Sequence, residues 1–296
     1  MSTGPRRIGI VGIGNMGLPI ARRLLDAGYE VCVRDLDAGR EALALQHGAR
    51  TAPTPAQLAA VSECVIVAVV DGAQTEAVLF GADGVAAAAR VGLAVVLCPT
   101  IAPSDTERFA ERLAQQGVAT LDAPMSGGPV RARDGSMSLM VACDDAVFAR
   151  HEALLRTLSS RLVRLGPRIG DGARTKLVNN LLAAVQLAGA AEALALAARL
   201  GLDPARTLEV IEASSGQSWI ASDRLRRALQ GDPTPHAHAA LLAKDSALAC
   251  DMAAAAGIAL TLGEPARQRF AAFCAAGHAL EDDSALYRWL LEGGGA

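Results

Sequence analysis

The sequence predicts an α/β Rossmann-like doubly wound sheet followed by an all-α C-terminal domain. Three observations carry this. Short apolar runs alternate with helical stretches from Arg7 to Leu158, as in a parallel sheet with helices on both faces. A glycine-rich turn, Gly12-Ile13-Gly14-Asn15-Met16-Gly17, joins the first run to the first helix. Beyond Gly166-Pro167 the strand signals stop and only helical stretches follow. The expected domains are therefore residues 1–166, built on the sheet, and 167–296, all-helical.

The first strand, Arg7–Val11, runs into the glycine turn and then into a helix over Leu18–Ala27, ended by Gly28. A second strand, Glu30–Arg34, follows, with Asp35 at its end. Each piece has a physical use. Gly12 permits the tight turn, Gly14 lets the backbone approach a pyrophosphate, and Gly17 lets helix and strand pack closely. The helix N-terminus, reached through Asn15 and Met16, attracts phosphate charge. Asp35 can accept hydrogen bonds from an adenosine ribose diol. NAD is thus the expected cofactor, with NADP as the alternative because Arg34 and Arg40 lie near Asp35 in sequence.

Cys64–Val69 and Ala94–Cys98 are continuous apolar runs, as expected of strands buried on both faces. Asp105–Gln116 is amphipathic, Val118–Leu121 is another strand, and Asp144 and Asp145 can cap a helix that runs through Leu158. The turn Ser126-Gly127-Gly128 stands at a strand's C-terminal end, where open α/β sheets bind ligands and where backbone N–H groups can hold an anion. On the residues alone, a plain loop fits equally well.

The stretch Ala173–Leu200 is rich in Ala and Leu, holds no proline and is followed by Gly201. It predicts a long helix with a glycine just past its end. Apolar residues occur nearly all round it, so it is expected to be central and buried. Lys176 and Asn180 are four apart and share a face. A lysine near a helix start is ordinarily solvated, so Lys176 alone implies no chemistry. Further helices are expected over 205–213, 220–230, 239–256, 264–276 and 284–292, with Asp203-Pro204 opening the first of them. Trp219, in a polar loop, reads as a packing anchor. His236 and His238 have no neighbours to complete a metal site, and none is expected. The terminal glycines 293–295 are expected to fray.

Composition narrows the function classes. The 296 residues are 51% hydrophobic and 3% aromatic, with a formal net charge of −3. No Lys/Arg block suggests a nucleic-acid partner. No apolar run is expected to span a membrane, and the N-terminal run breaks at Gly12 and Gly14, unlike a secretory leader. Six scattered cysteines without a CxxC pair suit a reducing, cytoplasmic compartment.

Five segments together resemble the β-hydroxyacid dehydrogenase superfamily. They are GIGNMGLP at 12–19, PTIAP at 99–103, DAPMSGG at 122–128, GDGARTKLVNN at 170–180 and AKDSALA at 243–249. The resemblance covers nearly the whole chain. It implies an NAD-dependent oxidoreductase that moves a hydride between the cofactor and a small 3-hydroxy carboxylate of the 3-hydroxyisobutyrate kind, or its oxo acid. The enzymatic alternatives are a larger, threonate-like four-carbon sugar acid and tartronate semialdehyde. A non-catalytic dinucleotide sensor or scaffold is the alternative of a different class. The resemblance makes Lys176 the catalytic lysine with Asn180 beside it, and Ser126, Gly127 and Gly128 the substrate-carboxylate loop. It puts Val69, Val70 and Thr100 on the nicotinamide side and Lys244 over the dinucleotide. Val70 stands where the family commonly has a proline and Pro99 where it often has a serine, and Ala237 stands where many members carry an aromatic that lines the substrate pocket; Trp219 is a candidate for the pocket's edge. Apolar faces on the alanine-rich helices leave room for subunit contacts, and a homodimer or homotetramer is expected.

Overall fold

A computed structural model describes residues 4–232 and 234–294. Gly295 and Ala296, expected to fray, lie outside the described residues, as does Pro233. The strands are β1 (Arg7–Val11), β2 (Glu30–Arg34), β3 (Arg50–Thr51), β4 (Cys64–Val67), β5 (Ala94–Leu97), β6 (Ala119–Asp122), β7 (Met125–Ser126), β8 (Ser138–Ala142) and β9 (Arg161–Gly166). Interleaved with them are α1 (Gly17–Asp26), α2 (Ala38–Gln46), α3 (Pro55–Val61), α4 (Gly72–Phe80), α5 (Pro103–Ala114), α6 (Gly128–Asp134) and α7 (Asp145–Leu158). Then come α8 (Asp171–Arg199), α9 (Pro204–Glu212), α10 (Trp219–Gln230), α11 (Ala239–Ala255), α12 (Gly263–Phe273) and α13 (Leu286–Leu291).

The sheet runs β3-β2-β1-β4-β5-β6-β8-β7, with β9 paired to β8. Strands β3 to β6 along this order are parallel, whereas β8 runs antiparallel to β6 and β7. The period-two side-chain alternation splits the apolar residues between two layers. Ile8, Ile10, Ile66 and Val96 face one layer with Ile20 and Leu24 of α1. Val11, Val65, Val67, Val95 and Leu97 face the other with Leu58 and Phe109. In register, Arg34, Val11, Val67, Leu97 and Asp122 stand abreast across five strands. The loops that follow this row all emerge at the sheet's C-terminal edge.

The chain separates into two compact units, one ending at Lys176 and the next beginning at Leu177, so α8 gives its first turns to one and its remainder to the other. In the second unit, Ala184, Leu187, Ala191 and Leu194 of α8 pack with Leu225, Leu242, Phe270 and Phe273.

Two expectations about α8 need correction. It is buried along one stripe only, and Val178, Leu182 and Leu196 are exposed. An even ring of Ala and Leu has almost no amphipathic signal, so the sequence could not show which side packs. The helix is also long and apolar enough to cross a membrane, with a mean hydropathy of 1.8 over its best window. Only 33% of that stretch is buried, along the stripe that packs into the helical core.

Candidate active site

The β1–α1 turn is built for close approach. Gly12 has φ +87°, and its N–H donates to the Arg34 carbonyl at 2.9 Å. A Cβ on Gly17 would lie 2.0 Å from the Gly12 carbonyl oxygen, whereas one on Gly14 would meet only an Arg40 guanidinium nitrogen, at 3.3 Å. Helix α1 follows Met16 with no side-chain cap and no acidic residue in its first turn, among the described residues. Its N-terminal donors and dipole thus suit an anionic phosphate. Gly12, Gly14, Asn15, Met16 and Gly17 all lie in this turn and helix start.

Asp35 follows β2, as expected, and does something the sequence did not reveal. Its Oδ2 accepts from the Ile13 N–H at 2.7 Å, and its Oδ1 from the Asp37 N–H at 3.0 Å. The carboxylate therefore braces the glycine turn itself. Arg34 is committed to Glu41 at 2.9 Å, while the Arg40 guanidinium stands 3.9 Å from Asp35. Strand β4 stops at Val67, two residues earlier than expected, so Val69 and Val70 lie in the loop beyond the register row. The Val70 N–H donates to Gln74 at 3.1 Å. Thr100 follows β5 at the same edge.

Ser126 ends the short strand β7, paired with Ser138 of β8. Gly127 and Gly128 have φ values of +134° and +75°, a backbone that side-chain-bearing residues rarely adopt. Lys176 is only 8% exposed, so the solvated reading of this lysine does not hold. Just upstream, the Asp122 carboxylate accepts from the N–H groups of Gly170, Gly172 and Ala173. Burial pushes Asp122 up to about 6, against the lowering effect of those three donors.

In the second unit, Asp245 gathers two of the expected residues. Its Oδ2 accepts from the Asn180 amide at 2.6 Å, and its Oδ1 lies 2.7 Å from the Lys244 ammonium. Asn180 also accepts from the Asn179 amide at 3.0 Å. Asp245 lies inside a motif that the sequence singled out, but only its neighbour Lys244 drew a role. Trp219 opens α10 and is 47% exposed, so it is not the buried anchor expected. The Ala237 N–H donates to Asp282 Oδ2 at 3.2 Å, beside the His236 N–H at 2.8 Å, and its carbonyl accepts from the Asp283 N–H at 2.9 Å. Burial opposes the charge on Asp282, yet bonds from Ser284 and Ala237 together with Arg227 hold it down to about 2. His238 Nδ1 is 2.6 Å from the Leu280 carbonyl. Among the described residues, no group of three or more His, Cys, Asp or Glu side chains is placed to hold a metal ion.

A braced glycine turn, an uncapped helix start and an acid closing the second strand are the working parts of an NAD(P)-binding oxidoreductase. Comparison with known proteins narrows this. Residues 7–166 match the family described as the NAD binding domain of 6-phosphogluconate dehydrogenase. Residues 170–290 match that described as NAD-binding of NADP-dependent 3-hydroxyisobutyrate dehydrogenase. The L-threonate dehydrogenase of Cupriavidus necator is 39% identical over 283 residues, covering 96% of this chain and 95% of its own. The mitochondrial 3-hydroxyisobutyrate dehydrogenase of Bos taurus is 31% identical over 96% of this chain and 87% of its own. The crystal structure of a 3-hydroxyisobutyrate dehydrogenase from Salmonella typhimurium superposes with a TM-score of 0.89 at 36% identity, over 95% of this chain and 99% of that one. The chain belongs to the β-hydroxyacid dehydrogenase superfamily. It is an NAD(P)-dependent enzyme, which removes the sensor or scaffold alternative.

Proposed function

We propose that this protein interconverts a short hydroxy carboxylate and its oxo acid, with a threonate-like four-carbon sugar acid as the preferred substrate. The observation that carries the chemistry is a buried lysine, Lys176, one turn into a helix whose start is bonded to the end of β6, four residues before Ser126. Ser126, Gly127 and Gly128 hold the substrate carboxylate. Lys176 moves the proton to or from the substrate oxygen, and Asn180, fixed by Asp245, orients that oxygen. The bound dinucleotide supplies or accepts the hydride. The glycine turn, Asp35, Val69, Val70, Thr100 and Lys244 bind it, residues 1–166 serving as the dinucleotide domain and 167–296 as the substrate and oligomerisation domain.

Ala237 and the name of the Cupriavidus relative support the four-carbon acid. The Bos taurus relative supports 3-hydroxyisobutyrate as the second reading. Asp35, with Arg34 turned to Glu41, supports NAD over NADP. The exposed Val178, Leu182 and Leu196 of α8 support a homodimer or homotetramer, and six free cysteines support a cytoplasmic setting. A screen of hydroxy acids with both cofactors tests the reading. The highest kcat/KM is expected for the four-carbon sugar acid with NAD; a preference for a three-carbon acid or for NADP overturns the corresponding part.

A further inference from the structure

Asp122 is the last residue of β6, and its side chain is almost completely buried. One oxygen, Oδ2, accepts three backbone N–H groups, from Gly170 and Gly172 at 2.9 Å and from Ala173 at 3.2 Å. These belong to the start of α8, where N–H groups have no partner within the helix. The carboxylate also meets the positive end of the helix dipole. The fit is tight, since a Cβ on Gly172 would lie 2.6 Å from Asp122 Oδ1. The bonded residues are 48 to 51 positions away in the chain, so this is a tertiary tether and not a local cap.

What the tether joins gives it meaning. On one side, β6 leads through Ala123 and Pro124 into Ser126, Gly127 and Gly128. On the other, Lys176 lies three residues beyond Ala173, one turn along α8. We propose that Asp122 is a positioning residue: by bonding the first turn of α8 to the end of β6, it fixes Lys176 relative to the loop that holds the substrate carboxylate. This rests on the reading of Lys176 as the proton-transfer group. The tether acts on turnover and leaves binding alone, because the carboxylate loop and the glycine turn keep their own supports.

The test compares Asp122→Ala, Asp122→Asn and Lys176→Ala with the wild type by steady-state kinetics, NADH fluorescence titration and thermal melting. Asp122→Ala removes all three bonds, and kcat is expected to fall roughly 10²-fold, the size of loss that follows a misplacement of about 1 Å. KM for the hydroxy acid and Kd for NADH stay within about threefold. Asp122→Asn keeps an acceptor oxygen and recovers part of the loss, with kcat about tenfold below wild type. If Asp122→Ala does not fold, Asp122→Asn decides by the same readouts. A variant that melts lower but keeps wild-type kcat overturns the proposal, and so do equal losses in kcat and in NADH affinity. Wild-type turnover in Lys176→Ala is a separate failure, that of the lysine's assignment.

Discussion

Replacing Gly17 by alanine tests the dinucleotide turn where it has least slack. The new Cβ would lie 2.0 Å from the Gly12 carbonyl oxygen, where an ordinary contact starts at 3.4 Å, so something must yield by roughly 1.4 Å. The obstacle is backbone, and it is held on both sides. The Gly12 N–H is bonded to Arg34, and a Cβ at Gly12 would itself fall 2.8 Å from the Ala68 carbonyl oxygen. Overpacking costs about 1–3 kcal/mol, and a backbone obstacle puts this case near ~3 kcal/mol. At roughly 2–4 °C per kcal/mol for a unit of this size, the melting temperature falls by about 6–12 °C. NADH affinity, measured by fluorescence titration, falls on the order of 10²-fold, since the displacement exceeds an ångström. Gly14→Ala is the internal comparison. Its Cβ meets only the mobile end of Arg40, so it binds NADH poorly yet melts within about 2–4 °C of wild type, a cost of no more than ~1 kcal/mol. The reasoning is refuted if Gly17→Ala melts and binds like wild type, or if Gly14→Ala melts as low as Gly17→Ala.

Lys176→Ala is expected to lose roughly 10²–10⁴-fold in kcat with NADH affinity unchanged, and Asn180→Ala to lose less; steady-state kinetics with a fluorescence titration checks both. Ala237→Phe is expected to lose the four-carbon sugar acid before 3-hydroxyisobutyrate or 3-hydroxypropionate, because bonds to Asp282 and Asp283 keep the backbone from sliding away from the new ring. Equal kcat/KM losses on all three acids would count against it. Arg224→Met strips the buried Asp283 of a partner at 2.6 Å and is expected to destabilise by about 3–5 kcal/mol, read by chemical denaturation; a loss under ~1 kcal/mol would show that the pair is not holding that region.

The nucleotide half was legible because its signals are local. The glycine turn, the strand before it and Asp35 lie within one short segment, and their spacing reflects the geometry of a single β-α-β unit. Strands β7 and β9 were missed for the converse reason. β7 is two residues long, and β9 is only partly buried, so neither stands out as an apolar run. The tethers were beyond reach as well. Asp122 is 48 residues from its nearest partner in the chain and Asn180 is 65 from Asp245, and no periodicity connects such pairs. Trp219 misled because rarity suggests a packing role, whereas Trp289 is the one that packs on Phe273, at 5.5 Å.

The register row Arg34, Val11, Val67, Leu97 and Asp122 also bears on how such a protein changes over generations. Below it, each strand residue is packed into one of two apolar layers. Beyond it, loops can lengthen or shorten at small entropic cost without disturbing either layer. Substrate preference can therefore drift while the scaffold stays recognisable, as in relatives 31–39% identical that carry different substrate names. Asp122 marks the exception. The segment after β6 sets the spacing between the tethered start of α8 and the carboxylate loop, which β8 holds separately, so length changes between Asp122 and Ser126 should be tolerated far less than changes after Val67 or Leu97.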